Sequence, residues 1–419
     1  MAEEKRTLEE EFKPDILKEV DRQVLELSRA TAQVVPENAL RRRLAVSLRD
    51  NLPLRVKLGV DPTAHDLHLG FTVPLNKLRL FSDFGHTPVL IIGDATAMVG
   101  DPSGRNKARP TLTRELVDDF ASSYLDQAAK VLDMSRVEVR RNSEWLHKLG
   151  FVGFIQLAAQ ATVAQILVRE DFDKRFKENA PIYLHELIYP LMQGHDSVVV
   201  KADVELGGQD QLFNLLVGRD LQQADGQEPQ ICMMGHLLVG LDGSRKMSKS
   251  FDNYIGVTDE AKDMFGKIMS LPDEVMREWF EYATKMPLPE ITSLFASNPH
   301  PRELKDRLAR RIVERYHDAA AADAGAEHFR RVFSNKELPE DLPAIEIAKS
   351  ELDDGKIWIA KLLVLAGFAK SNGEASRLVK QGGVKINRES ATDPKAAIGI
   401  SGGEILQVGK KRFGQISLL

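Results

Sequence analysis

Three neighbouring stretches constrain this chain most. "LRVKLGVDPT" (54–63) reads as a short strand running into a turn set by Asp61 and Pro62. "FTVPLNKLRLFSDFG" (71–85) carries apolar residues at helical spacing and stops at Gly85, and "TPVLIIGD" (87–94) is a continuous apolar run, as in a strand buried on both faces. A strand, a helix and a strand in that order imply parallel pairing through a right-handed crossover. The later runs "SVVV" (197–200) and "PQICMMG" (229–235) offer further buried strands. The expected fold is α/β, a doubly wound parallel sheet over about 51–250, and such sheets bind ligands beyond the carboxyl ends of their strands.

At 419 residues the chain exceeds one ordinary core, so two to four domains are expected. Residues 1–50 read as an N-terminal helical segment, with Ile16, Val20, Val24 and Leu27 at spacings of three and four. After the Rossmann-like domain of 51–250, the pattern from 251 to 335 is helical without strands. The acidic, proline-containing stretch 336–355 reads as a linker. Residues 356–419 begin with a helix and continue as short strands with glycine turns, a small α+β module.

The net charge of −5 argues against wholesale coating of nucleic acid, but the charge is uneven. From Lys356 to Leu419 eleven Lys and Arg face four Asp and Glu, a net +7 that leaves −12 on the rest. A basic module on an acidic body suits an anionic partner, although a solvated basic surface would look the same. The single cysteine, Cys232, excludes an intramolecular disulfide and a cysteine-cluster metal site. No apolar run is long enough to span a bilayer, and the charged start "MAEEKRTLEEEF" is unlike an export signal, so a cytoplasmic location without membrane contact is expected.

Chemistry concentrates at five places. In "GVDPTAHDLHLGF" (59–71), Thr63 and His68 can donate to phosphate near a helix start, and Gly70 leaves room for an adenine ring; a histidine capping its helix explains the string as well. "GDATAMVGDPSGRNKAR" (93–109) sets Asp101 before Arg105, Lys107 and Arg109, a carboxylate for an ammonium beside a basic cluster for phosphates, or simply a surface loop. In "YPLMQGHD" (189–196), Tyr189, Gln193 and Asp196 share one helical stripe, suited to a small polar molecule or to an exposed polar face, and Pro190 should kink or begin that helix. "LGGQDQ" (206–211) offers glycines for close backbone approach to a ribose, Asp210 for its hydroxyls and Gln211 as an orienting amide. "GSRKMSKS" (243–250) puts Lys246 and Lys249 on a short loop where they could close on a triphosphate.

In this order the strings "HLG", "GDPSG", "YxxxQxxD", "GGxDQ" and "KMSKS" resemble those of bacterial tyrosyl-tRNA synthetases, which are class I aminoacyl-tRNA synthetases. The resemblance runs from about Leu54 to Ser250, and "SNGEASRLVKQGGVKINRE" with "VGKKRF" looks like the S-four-type RNA-binding domain that ends that family. It implies activation of tyrosine with ATP and Mg²⁺ to tyrosyl-adenylate and pyrophosphate, then transfer to the 3'-terminal adenosine of tRNA(Tyr) by a homodimer. On matching positions it implies that Thr63, His68, Arg105, Arg109, Lys246 and Lys249 stabilise the phosphate transition state and pyrophosphate. Gly59, Asp61, Gly70, Phe71, Gly208, Asp210, Gln211, Met247 and Ser248 would complete the ATP and adenylate site. Asp101, Tyr189 and Gln193 would hold the tyrosine ammonium and Asp196 would accept the phenol hydroxyl. RNA contacts would fall on Arg377, Lys380, Lys385, Lys410, Lys411 and Arg412, and no residue set is expected to hold a resident metal.

Two positions depart from the family pattern. Lys57 stands where some members have a tyrosine that contacts the phenol, and Phe71 stands where "HxGH" has its second histidine. A non-catalytic, RNA-binding paralogue would be expected to lose the 246–250 lysines or Asp210, and all remain. Tryptophanyl-tRNA synthetases share the fold and "GxDQ", but the Tyr189, Gln193 and Asp196 stripe and the terminal module favour tyrosine.

Overall fold

Six strands, β1 (Thr31–Val35), β2 (Arg55–Val60), β3 (Thr87–Ile92), β4 (Glu138–Arg141), β5 (Val204–Gly208) and β6 (Ile231–Gly235), form one sheet in the order β1-β6-β5-β2-β3-β4. In this computed structural model the described residues are 7–103, 112–334, 342–387, 389–409 and 412–419. Arg105, Lys107, Arg109, Lys410 and Lys411 lie outside them. The chain divides into two compact units, Met1–Asp323 and Ala324–Leu419.

β2 and β3 run parallel from Arg55 opposite Thr87 to Val60 opposite Ile92, joined through the helix Leu69–Asp83. Every residue of β3 from Pro88 to Ile92 is buried, as its unbroken apolar run requires. From β2 the chain steps outward to β3 and β4, then returns to the other side of β2 for β5 and β6. The order therefore reverses between β2 and β5, and a crevice opens beyond their carboxyl ends. The helices Leu184–Val200 and Leu212–Ala224 cross closely: a Cβ on Gly194 would lie 3.1 Å from the backbone nitrogen of Gly218.

Several expectations are corrected. "SVVV" (197–200) is the last turn of the helix Leu184–Val200, which ends where Lys201 turns left-handed at φ 50°. The β-branched run mimics a strand, but Ser197 and Val200 continue the buried stripe of Tyr189 and Asp196. Pro190 lies inside that helix and does not begin it. The first fifty residues are not purely helical, because Thr31–Val35 forms β1, antiparallel to β6. Five residues show too little alternation to reveal a strand whose pairing is supplied by a distant partner. Part of the expected linker is also a strand, β7 (Ala344–Ile347), with Ile345 and Ile347 buried and Ala344 and Glu346 exposed. The segment Asp94–Val99, for which a surface loop is one of two readings, is a short helix with Asp94, Ala95, Thr96 and Ala97 buried.

From Ala261 the first unit continues as helices, including Met276–Ala283 and Pro301–Tyr316. In the second unit, β7, β9 (Val384–Ile386), β10 (Glu389–Ser390), β12 (Ile405–Val408) and β13 (Arg412–Leu418) form a sheet in the order β10-β9-β12-β13-β7, with β13 and β7 parallel. β8 (Lys356–Trp358) pairs separately with β11 (Ala397–Gly399). The helices Ile359–Leu365 and Asn372–Lys380 bury Leu362, Leu363, Ala375 and Val379 in a core shared with Leu406 and Ile416.

Candidate active site

A cavity of about 820 Å³ lies where β2 and β5 end. Its wall begins on β2 with Gly59 and follows the loop through Asp61 and Thr63 to His68, the residue that caps the Leu69–Asp83 helix. The helix start is pinned from outside, since Leu69 N donates to Ile255 O at 2.9 Å and Val257 N to Leu67 O at 2.9 Å. Gly70 lies against the His68 ring: a Cβ there would sit 3.0 Å from Nδ1 and 3.4 Å from Met247 Cβ. At the end of β3, a Cβ on Gly93 would fall 2.1 Å from Asp61 Oδ1, so only glycine lets the strand close on that carboxylate.

The structure gathers the described residues expected at the ATP and tyrosine sites into this one cavity. Gly208, Asp210 and Gln211 arrive from β5 and the turn after it, and Asp101 from the loop after Gly100. Tyr189, Gln193 and Asp196 come from one stripe of the Leu184–Val200 helix, and Lys246, Met247, Ser248 and Lys249 from the loop after β6. That loop is held internally: Met247 N donates to Leu238 O at 2.7 Å, and Ser248 N to Asn253 Oδ1 at 2.8 Å. Phe71 also lines the cavity, its ring edge-on to His68 at 6.1 Å and tilted to Tyr124 at 6.4 Å. Of the six basic residues expected to touch RNA, Arg377 and Lys380 lie exposed on the Asn372–Lys380 helix and Arg412 lies exposed on β13, while Lys385 is half-buried on β9.

Charge is divided between the two ends of the cavity. At one end Lys246 Nζ meets Asp210 Oδ2 at 2.7 Å, and Lys249 Nζ lies 3.7 Å from Asp66 Oδ2. Burial, reinforced by Lys249 and then Lys246, pushes the His68 imidazole down to about 4, so it is neutral near pH 7. Its buried Nδ1 has no hydrogen-bond partner among the described residues. At the other end Asp196, 3% exposed, accepts from Trp145 Nε1 at 2.8 Å and from Asn142 Nδ2 at 3.3 Å. Burial raises its carboxyl to about 7 against the opposing pull of Lys57 and those two donors.

Between the ends runs a chain of amides and acids. Tyr189 donates its hydroxyl to Asp61 Oδ2 at 2.8 Å, and Thr96 Oγ1 donates to Asp61 Oδ1 at 2.8 Å. Gln211 Nε2 donates to Asp101 Oδ2 at 2.8 Å. Asn214 Nδ2 donates to Gln193 Oε1 at 3.0 Å and to Gln211 Oε1 at 3.1 Å. Gln193 Nε2 donates to Glu205 Oε1 at 3.1 Å. Sequence reasoning missed Asn142, Trp145, Glu205 and Asn214. Trp145 and the two asparagines carry no periodic or motif signal. Glu205 does carry one: it is a lone charge in an apolar strand, and Lys57 is its counterpart in β2. Lys57 does not line the cavity, so it does not replace the missing tyrosine as a direct phenol contact. Among the described residues no group of three or more His, Cys, Asp or Glu could hold a metal ion.

A crevice at the switch point of a doubly wound sheet, lined by lysines and a buried carboxyl acceptor, is the arrangement a class I tRNA synthetase requires. A family profile described as "tRNA synthetases class I (W and Y)" matches residues 49–334, and one described as "S4 domain" matches 357–404. The chain is 48% identical to the tyrosine–tRNA ligase of Moorella thermoacetica over 402 residues, 95% of this chain and 96% of that protein. It is also 48% identical to the tyrosine–tRNA ligase of Aquifex aeolicus, over 93% of this chain and 97% of that one. It thus belongs to the tyrosine–tRNA ligase family. The fold is shared with a truncated mitochondrial tyrosyl-tRNA synthetase of Aspergillus nidulans, with a TM-score of 0.63 at 20% identity over 76% of this chain and 98% of that one. It is shared too with a tyrosyl-tRNA synthetase of Archaeoglobus fulgidus crystallised with L-tyrosine, with a TM-score of 0.60 at 23% identity over 72% and 99%.

Proposed function

We propose that the cavity binds ATP and tyrosine together and joins them as tyrosyl-adenylate. The observation that carries this reading is that one cavity is lined by the buried Asp196 acceptor and by Lys246 and Lys249, with Tyr189 and Gln193 on the same helix stripe as Asp196. Tyrosine enters with its phenol donating to Asp196 and its ammonium among Asp101, Tyr189 and Gln193. Phenylalanine would deny the buried Asp196 the donor that the phenol supplies, the physical basis of discrimination for which tyrosyl-tRNA synthetases are themselves the standard illustration.

The tyrosine carboxylate attacks the α-phosphorus, the bond to the bridging oxygen breaks, and pyrophosphate leaves. Thr63 and the neutral His68 donate hydrogen bonds to phosphate oxygens as charge builds, while Lys246 and Lys249 neutralise the departing pyrophosphate. Asp210 and Gln211 take the ribose, which draws Asp210 away from Lys246 and frees that lysine for phosphate. Arg105 and Arg109 are assigned the same phosphate role from their sequence positions. Mg²⁺ arrives with the nucleotide as part of the substrate. A ribose hydroxyl of the 3'-terminal adenosine of tRNA(Tyr) then attacks the adenylate carbonyl and AMP leaves. No covalent enzyme intermediate is needed, because positioning and charge stabilisation suffice.

The domain reading that goes with this assigns catalysis to 51–250, the anticodon side to 251–335 and RNA binding to 356–419, with cytoplasmic location. The S4 match and the exposed Arg377, Lys380 and Arg412 support an RNA-facing role for the last segment. A second copy of the chain is assigned to the helices between Gly150 and Leu184, where Phe151 and Leu184 are 80% and 81% exposed and Val152, Val163, Val168 and Phe176 are exposed beside them in sequence. The test of the catalytic reading is ATP–pyrophosphate exchange with tyrosine, phenylalanine or tryptophan as the added amino acid. Exchange with tyrosine alone is expected. Exchange with none would sink the reading, and a preference for tryptophan would sink the choice of substrate.

A further inference from the structure

Lys57 and Glu205 stand opposite each other on the adjacent parallel strands β2 and β5, so both side chains leave the sheet on the same face. Both are wholly buried, with Nζ 3.0 Å from Glu205 Oε1. The Leu184–Val200 helix lies across them. Lys57 Nζ donates to Gln193 O at 2.9 Å and to Ser197 Oγ at 2.7 Å, which together with Glu205 use all three of its donors. Glu205 Oε1 also accepts from Gln193 Nε2, and Oε2 accepts from Ser197 Oγ and Gln230 Nε2. Every acceptor site of the carboxylate is thereby occupied.

A buried ion pair is an expensive way to hold two strands together, since an apolar pair of similar volume is often as stable or more so. An apolar pair cannot orient an amide. Gln193 lines the cavity, and its two ends have different neighbours: Nε2 faces the Glu205 carboxylate and Oε1 faces Asn214 Nδ2. Turning the amide over would set oxygen against the Glu205 carboxylate and NH₂ against the Asn214 NH₂. Two hydrogen bonds would become two repulsions.

We propose that the buried Lys57–Glu205 pair is a positioning unit for amino-acid recognition, locking the Gln193 amide so that Oε1 remains the group offered to the ammonium of the incoming amino acid. Lys57 fixes the backbone of that helical turn through Gln193 O, and Glu205 fixes the side chain through Nε2. The position that departs from the family pattern at residue 57 thus acts on the substrate through Gln193 from beneath the cavity floor. This rests on the tyrosine-activation reading, under which Gln193 meets the substrate ammonium.

The test is steady-state ATP–pyrophosphate exchange with the full-length chain. The unaltered protein is measured first; if tyrosine supports no exchange, the functional reading fails, whatever the pair does. With exchange established, the neutral double variant Lys57→Met with Glu205→Leu should raise the tyrosine KM about tenfold or more, the size of one lost hydrogen bond to a charged group. The ATP KM and kcat should stay within about threefold, since the pair does not touch the phosphate end. In a Gln193→Ala background the same double change should move the tyrosine KM by less than about twofold, because its route of action is gone. An unchanged tyrosine KM in the double variant, or the same rise with and without Gln193, overturns the proposal. If the double variant does not fold, Glu205→Gln keeps the volume and removes the carboxylate; it too should raise the tyrosine KM selectively, and no rise would overturn the proposal equally.

Discussion

Replacing Asp196 with asparagine should stabilise the folded chain clearly at pH 8 and hardly at all at pH 5.5. Burial raises this carboxyl from the ordinary 3.8 to about 7. Between those values the folded chain keeps a proton that the unfolded chain releases. Stability contributed by the protonated group is therefore complete below 3.8 and is lost as the pH rises through about 7. At about 1.36 kcal/mol per tenfold change in proton affinity, the ionised carboxylate burdens the folded state by about 4 kcal/mol at pH 8. Asparagine carries no such burden, but it can accept from only one of Trp145 Nε1 and Asn142 Nδ2, forfeiting about 1–2 kcal/mol. At pH 5.5 the unfolded carboxyl is already ionised and the burden is about 2 kcal/mol, so the variant should gain about 2–3 kcal/mol at pH 8 and about 0–1 kcal/mol at pH 5.5. Urea unfolding followed by tryptophan fluorescence measures both, since Trp145 and Trp279 are buried in the same unit as the site. A stability difference that is the same at the two pH values would refute the reasoning, because the carboxyl would then not titrate between them. The functional counterpart is loss of tyrosine selection with little change in ATP binding; equal damage to both would contradict the role given to Asp196.

Lys246→Ala and Lys249→Ala should each lower the exchange kcat by about 10²–10³, as removal of one transition-state charge partner does, and a purely KM effect would count against that role. Phe71→His should leave the ATP KM within about twofold, since the ring serves by packing edge-on or tilted against His68 and Tyr124; severalfold tighter ATP binding at unchanged turnover would show that the packing of Phe71 is not what serves the nucleotide. Arg175→Met should destabilise the chain by about 3–5 kcal/mol, because Glu186, held at 2.7 Å by Arg175 Nη1, would be left buried with only the Tyr183 backbone N–H and no counter-ion. Adding Glu186→Leu should restore most of that loss in the same denaturation assay. Truncation before residue 342 should spare tyrosine-dependent exchange and weaken tRNA charging; the cut belongs there because β7 pairs with β13 and is part of the same sheet. Undiminished charging would remove the RNA role from this segment.

What the sequence by itself determined is whatever repeats or lies close along the chain. The parallel pairing of β2 with β3 was readable from two apolar runs and the helix between them, because a crossover of that length has one topology open to it. Part of the cavity wall was readable because pieces such as His68 and Gly70, or Asp210 and Gln211, sit within a few residues of a strand or helix end. Only the tertiary structure decided the rest. Five residues of β1 and four of β7 are strands because a distant edge accepts them, which no local pattern carries. Whether "SVVV" ends a helix or makes a strand depends on its burial against the sheet, not on its β-branched side chains. The chemistry of Asp196 depends on Trp145 and Asn142, about fifty residues away, and the aim of Gln193 depends on a lysine and a glutamate on two other strands. Hydrogen bonds and charge act over a few ångströms in space, and only folding decides which residues come that close.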